Sequence, residues 1–144
     1  MPDPVTPLVH TIASIFSLVE TSKSIFSWIS DIQDAPKYVS NLRVFLLGFT
    51  VFLGGVERAL RDANIAGKVS PEQINIIIRN AKETLRQLEV SFTTITQGRR
   101  GVVSRSRWLE NRDKYRGLQE SLAECRELFS GIINVAQLYG SLYS

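Results

Sequence analysis

The sequence of 144 residues predicts an all-α fold, a helical bundle of four principal helices in one domain spanning residues 1–144. Apolar residues recur at spacings of three and four in four separate blocks, which is typical of helices that share a core. Proline, glycine and capping residues separate these blocks, and no segment alternates like a half-buried strand. We expect the four helices to be mostly antiparallel, in up-down-up-down order.

The first predicted helix covers residues 8–32. Pro7 suits its opening turn, because the first helical position has no N–H bond to lose. The segment 34–36 ends this helix, and Asp34 is predicted to be the N-cap of the next one. The apolar residues of the first helix follow the helical period: Leu8, Ile12, Ile15, Phe16, Val19, Phe26 and Ile29.

The second predicted helix covers residues 36–63 and carries two apolar stripes. Val44, Leu47 and Val51 form one of them, on roughly the opposite side from the other. Either this helix is the most buried in the bundle, or that stripe is a surface for self-association or for a partner domain. The other stripe is a seam without gaps, suited to bundle packing: Val39, Leu42, Leu46, Phe49, Leu53, Val56 and Leu60.

The third predicted helix covers residues 71–97 and the fourth covers residues 103–142. Ser70 and Pro71 followed by Gln73 form a capping-box signature, which marks the start of the third helix. We expect Cys125 to be a small core residue. Core positions of the fourth helix recur every seven residues: Trp108, Tyr115, Leu122, Phe129 and Ala136.

The composition argues against an enzyme or a metalloprotein. The chain has one Cys and one His, without clustered carboxylates, so no catalytic residue, metal site or cofactor is predicted. A single Cys also favours a reducing, intracellular environment. The net charge of +3 is low for a dedicated nucleic-acid binder, and no helix-turn-helix or zinc-finger motif accompanies it, so nucleic acid is not an expected partner.

Two uncharged runs, residues 4–19 and 44–56, are shorter than the roughly 20 apolar residues of a transmembrane helix. We therefore expect neither to be a constitutive transmembrane helix, and we expect a soluble resting protein. The N-terminus lacks the basic region and cleavage site of a secretory signal. A helical pattern that reaches the last residue suggests that the native chain continues past Ser144.

The segment 99–116 is the clearest electrostatic feature, with seven Lys and Arg residues against two acidic residues. Each Lys or Arg close to an anionic membrane contributes about 1 kcal/mol to the free energy of membrane binding. Arg99, Arg100, Arg105 and Arg107 are therefore candidates for contact with anionic lipid. The alternative is a solvated loop followed by the polar face of the fourth helix.

Two parts of the chain resemble the N-terminal effector domains of fungal STAND receptors, which are NLR-type proteins. One part is residues 12–21, IASIFSLVET, together with residues 29–36, ISDIQDAP; the other begins at residues 105–108, RSRW, and leads into Asp113 and Lys114. The resembled group comprises the HeLo, HeLo-like and SesA domains. These are similar in architecture to the four-helix bundle of the mixed-lineage kinase-like necroptosis protein.

The resemblance implies a non-enzymatic cell-death effector of fungal innate immunity and heterokaryon incompatibility. Such a domain is cytoplasmic at rest, oligomerises on activation, and associates with or permeabilises the plasma membrane through its first helix. Its implied partners are further copies of itself, anionic membrane lipids, and an NLR or enzymatic domain in the same chain. Candidates for membrane insertion are then Ile12, Ile15, Phe16, Val19 and Phe26, for which packing in the bundle core is the alternative.

The first helix departs from the best-known pore-forming members, because residues 8–32 contain no glycine and so no glycine zipper. A second hypothesis therefore stays open, namely a soluble oligomerisation or adaptor bundle. Such a protein signals by protein–protein contact and does not insert into lipid.

Overall fold

A computed structural model describes residues 6–96 and 103–143 of the chain, and these residues form helices without any strand. The all-α prediction is confirmed. A 3-10 turn, Thr6–Leu8, precedes the first helix. The five α-helices are α1 (Val9–Ser30), α2 (Lys37–Arg61), α3 (Ala63–Ala66), α4 (Pro71–Thr96) and α5 (Arg105–Tyr143).

The four long helices lie close to their predicted ranges, with three local differences. Pro7 lies in the 3-10 turn rather than at the first position of α1, which begins at Val9. The prediction that Asp34 caps α2 is wrong: Pro36 occupies the N-cap, and its side chain makes no capping bond. Asp34 has φ 54° instead, a turn conformation that its short polar side chain tolerates. The region after α2 was predicted as a loop and contains α3, where Asp62 accepts a hydrogen bond from the Asn64 N–H at 2.9 Å.

Ser70 is the N-cap of α4 that its sequence predicts. Its hydroxyl oxygen accepts a hydrogen bond from the Gln73 N–H at 3.4 Å, and Pro71 is the first helical residue. This bond satisfies one of the amide groups that a helix start leaves without an intrahelical partner. The local sequence therefore fixes where the third long helix begins.

Each long helix packs against two others: α1 against α2 and α4, and α5 against α2 and α4. Contacts along α4 and α5 run in opposite directions, since Ser91 meets Tyr115 and Ile77 meets Cys125. By contrast α2 and α5 run side by side in the same direction, since Tyr38 meets Trp108 and Phe52 meets Phe129. The helices were expected to be mostly antiparallel, and α2 and α5 are a parallel pair within the bundle.

All seven seam residues of α2 are buried, and so are the heptad positions of α5 from Trp108 to Ala136. Aromatic rings fill the end of the core where α2 and α5 begin. The Tyr115 ring stacks on Phe92 with centroids 4.7 Å apart, and the Ser91 hydroxyl donates to the Tyr115 hydroxyl oxygen at 2.8 Å. Trp108 and Cys125 are buried, as expected. This core leaves one side of α2 facing outward.

Candidate interaction surface

The outward side of α2 carries three large aliphatic side chains that are each more than half exposed. Val44 is 62% exposed, Leu47 51% and Val51 66%. Their spacing places them on one face of the helix, opposite the buried seam. Of the two readings left open by the sequence, the structure agrees with an exposed surface at this stripe. We call these three residues the α2 stripe.

Glycines extend the α2 stripe as an open, shallow surface. A Cβ atom added to Gly48 would have no neighbour within 4 Å, so the space above it is empty. Beyond Val51, the guanidinium of Arg58 lies beside Gly54 and Gly55, at 3.8 and 3.9 Å from the positions of their missing Cβ atoms. The apolar surface therefore ends at the Arg58 side chain, which extends back along the helix towards Gly54 and Gly55.

Two further arginines flank the α2 stripe, one on each side. The Arg43 guanidinium lies over the Phe26 ring of α1, 5.7 Å from the centroid, and the Arg126 guanidinium of α5 lies over the Phe45 ring at 5.1 Å. Such cation–π contacts orient a guanidinium while leaving its N–H groups available to other partners. We call Arg43, Arg58 and Arg126 the arginine rim.

The arginine rim has no neutralising carboxylate among the described residues, since no ion pair within 4.0 Å involves any of its members there. Glu57, which directly precedes Arg58, pairs instead with Arg61 at 3.0 Å, and Glu127 directly follows Arg126 in the sequence without an ion pair to it within 4.0 Å. No Asp or Glu lies between Lys37 and Glu57 along α2. The surface therefore combines exposed aliphatic side chains with cations that are free to meet anions.

By length and composition, α2 could cross a membrane. Its most apolar stretch of 18 residues has a mean hydropathy of 1.6, and one third of that stretch is buried in the bundle. The uncharged run 44–56 lies within this helix, and the expectation that it is not a constitutive transmembrane helix stays a prediction, because length and composition alone do not test it. Core helices of soluble proteins also meet this test, so it is weak support for a membrane role.

The predicted insertion residues of α1 divide between the core and the surface. Ile12, Ile15 and Val19 are buried, Phe26 is half-buried under Arg43, and Phe16 is 53% exposed. Near its N-terminus α1 is tied to α4, where the Thr11 hydroxyl donates to the Asn75 side-chain oxygen at 2.9 Å. In this state the apolar residues that α1 exposes on one face are Val9, Ala13 and Phe16, with Val9 54% and Phe16 53% exposed.

The predicted lipid-binding arginines do not form one described cluster. Arg99 and Arg100 lie outside the described residues. Arg105 is exposed at the start of α5. Arg107 is also exposed, but its guanidinium donates to the Ile95 carbonyl in the last turn of α4 at 3.3 Å. Of the four, Arg107 thus has a structural partner.

The titratable side chains inside the bundle are structural. Burial and the neighbouring Tyr115 raise the pKa of Tyr38 to about 12, although Arg112 opposes this, and the Tyr38 hydroxyl donates to the Trp108 carbonyl. Burial raises the pKa of the Cys125 thiol, which is the opposite of what an activated nucleophile needs. Within the described ranges no three His, Cys, Asp or Glu side chains come together as metal ligands would.

A groove of about 460 Å³ lies between the start of α2 and α5. Its lining is mainly polar and includes Lys37, Asn41, Arg116 and Glu120. The lining contains no Ser, Cys or His that could serve as a nucleophile or base.

The sequence identified the α2 stripe but not the arginine rim. Arg43 directly precedes the uncharged run 44–56, and Glu57 and Arg58 follow it. The sequence therefore showed that two rim members lie at the ends of this run. For Arg126 the sequence contained no such indication, because its position beside Phe45 depends on how α5 packs on α2.

No family model matches the chain, and neither a curated protein nor a solved structure is significantly similar to it.

Proposed function

We propose that this chain is a non-enzymatic effector domain that oligomerises and associates with membranes, as its resemblance to fungal HeLo-like domains implies. Under this proposal it is a HeLo-like four-helix bundle that is cytoplasmic at rest and acts at the plasma membrane in programmed cell death. One observation carries the proposal: an exposed, uncharged stripe on α2, the one helix among the described residues that is apolar and long enough to span a bilayer.

The packing of α1 determines which surface is available first. Six of its apolar side chains are buried: Ile12, Ile15, Leu18, Val19, Ile25 and Ile29. Exposing them costs about 1.5–3 kcal/mol each, or roughly 9–18 kcal/mol together. A domain of this size is stable by only about 5–15 kcal/mol. Insertion of α1 therefore has to be driven by clustering or by the bilayer itself.

Vesicle experiments test the proposal. The chain should sediment with vesicles that contain an anionic phospholipid more than with vesicles of neutral lipid alone. Fusion to an inducible oligomerisation tag should then cause dye release from the anionic vesicles. Neither sedimentation nor release, even when clustering is forced, would contradict a membrane function.

A soluble adaptor is the second candidate, and the α2 stripe also favours it, since exposed apolar patches mark protein interfaces. An adaptor would bind an NLR or enzymatic domain, or a further copy of itself, without lipid. Substitutions in the α2 stripe would then abolish partner binding, whereas the choice of vesicle would make no difference. Comparing the two assays on the same variants distinguishes the candidates.

A further inference from the structure

We propose that the closed bundle docks on an anionic bilayer through the α2 stripe, with the arginine rim on the lipid phosphates and α1 still packed in the core. This inference rests on the proposed membrane function and deepens it, because it names the surface, the lipid charge and the conformation. The α2 helix would lie parallel to the bilayer plane.

Charge and shape together favour a bilayer as the occupant. The rim places guanidiniums on both flanks and at one end of an apolar surface that spans about 10 Å along the helix from Val44 to Val51. An interfacial helix buries its apolar face about 5–10 Å into the boundary between headgroups and acyl chains. Cations at its edge then reach the phosphates, to which guanidiniums donate paired hydrogen bonds.

A second copy of the chain is a poorer occupant. A parallel pairing of two α2 helices brings Arg58 against Arg58, and an antiparallel pairing centred on the α2 stripe brings Arg58 towards Lys37. Like charges placed together at an interface disfavour the complex. The three side chains of the α2 stripe are also few beside the 20–30 residues that each partner contributes to a standard protein interface.

Docking in this orientation keeps α2 from spanning the membrane. Its inner seam is fully buried, so only one side of the helix can meet lipid while the bundle is closed. The contact of Arg43 with Phe26 also joins the docking surface to α1. The docked state is therefore a peripheral one that precedes any release of α1.

The test uses the whole chain and vesicles of phosphatidylcholine with or without phosphatidylserine. The variant V44S/L47S/V51S removes the stripe, and I76S/V90S is its matched control, because Ile76 and Val90 are half-exposed aliphatic residues of α4. We expect the stripe variant to lose at least tenfold in partition onto anionic vesicles and the control to keep wild-type partition. Urea midpoints close to wild type establish that all variants remain folded.

A second pair of variants tests the rim. R43Q/R58Q should weaken partition by about 25-fold, at about fivefold for each cation, and added salt should reduce the difference. The control R79Q/K82Q removes two exposed cations of α4 and should change partition by less than threefold. Hydrogen exchange should show α1 amides as protected on vesicles as in solution.

The outcomes separate the two proposals. Unchanged partition of V44S/L47S/V51S would overturn the docking surface while leaving a membrane function in place. Loss of α1 protection on docking would overturn the closed conformation. A wild-type dimer in lipid-free solution that the stripe variant converts to a monomer would show that a second copy covers this face. No partition of the wild type would overturn the docking surface, and the membrane function falls only if forced clustering also fails to release dye.

Discussion

Two neighbouring residues on α1, Ile15 and Phe16, should differ strongly in how much their truncation to alanine lowers the stability of the fold. Ile15 is completely buried, whereas Phe16 is 53% exposed. Ile15→Ala deletes three carbon groups worth about 0.8 kcal/mol each and leaves a cavity in the core, so we expect a loss of about 3 kcal/mol. Phe16→Ala removes a larger side chain from the surface and should change stability by less than about 0.5 kcal/mol.

Urea unfolding followed by circular dichroism measures both changes. With a slope of about 2 kcal/mol per molar urea, Ile15→Ala should lower the midpoint by about 1.5 M, and Phe16→Ala should leave it nearly unchanged. Equal losses for the two variants would refute the assignment of the buried face of α1. A loss below about 1 kcal/mol for Ile15→Ala would mean that α1 is not packed as described.

Three further predictions concern the interior. Ser22→Ala should raise the melting temperature slightly, because the Ser22 hydroxyl is buried without a hydrogen-bond partner and because alanine favours the helix. A lower melting temperature would show that the hydroxyl has a partner. Ser91→Ala should lower the free energy of unfolding by about 1–2 kcal/mol, measured with urea, because it removes the hydrogen bond to Tyr115. The double variant with Tyr115→Phe should lose little more, and additive losses would contradict this coupling. Stability should fall as pH rises from about 10 to 12, since the pKa of Tyr38 is about 12 in the fold and about 10 when unfolded, so that only the unfolded state loses its proton in that window. Tyr38→Phe should flatten part of this fall in urea midpoints, and an unchanged slope would contradict the assignment.

The helices were predictable because their signals are local and repeated. The α2 seam from Val39 to Leu60 is buried at every predicted position, since a three-and-four spacing can face only one way on a helix. Asp34 failed as a cap because an acidic residue two positions before a proline suits a turn as readily as a helix start. The helix α3 is four residues long, too short for any periodicity to show.

The candidate surface was predictable only in part. The sequence separated Val44, Leu47 and Val51 from the seam, but it could not determine whether another helix covers them, because that depends on the order in which helices pack. On α1, periodicity grouped Ile15 with Phe16 although one points inward and the other outward. The arginine rim joins α2 to α5 across more than 60 residues of chain, and no local pattern reports such a contact.

The environment of position 47 on a vesicle tests the central claim most directly. In a Cys125→Ala background, an environment-sensitive fluorophore is attached to a cysteine introduced by Leu47→Cys or, as a control on exposed α4, by Gln87→Cys. We predict that anionic vesicles shift the emission to the blue for the label at position 47 and leave it unchanged at position 87. A bound chain whose label at position 47 still reports water would contradict docking through the α2 stripe.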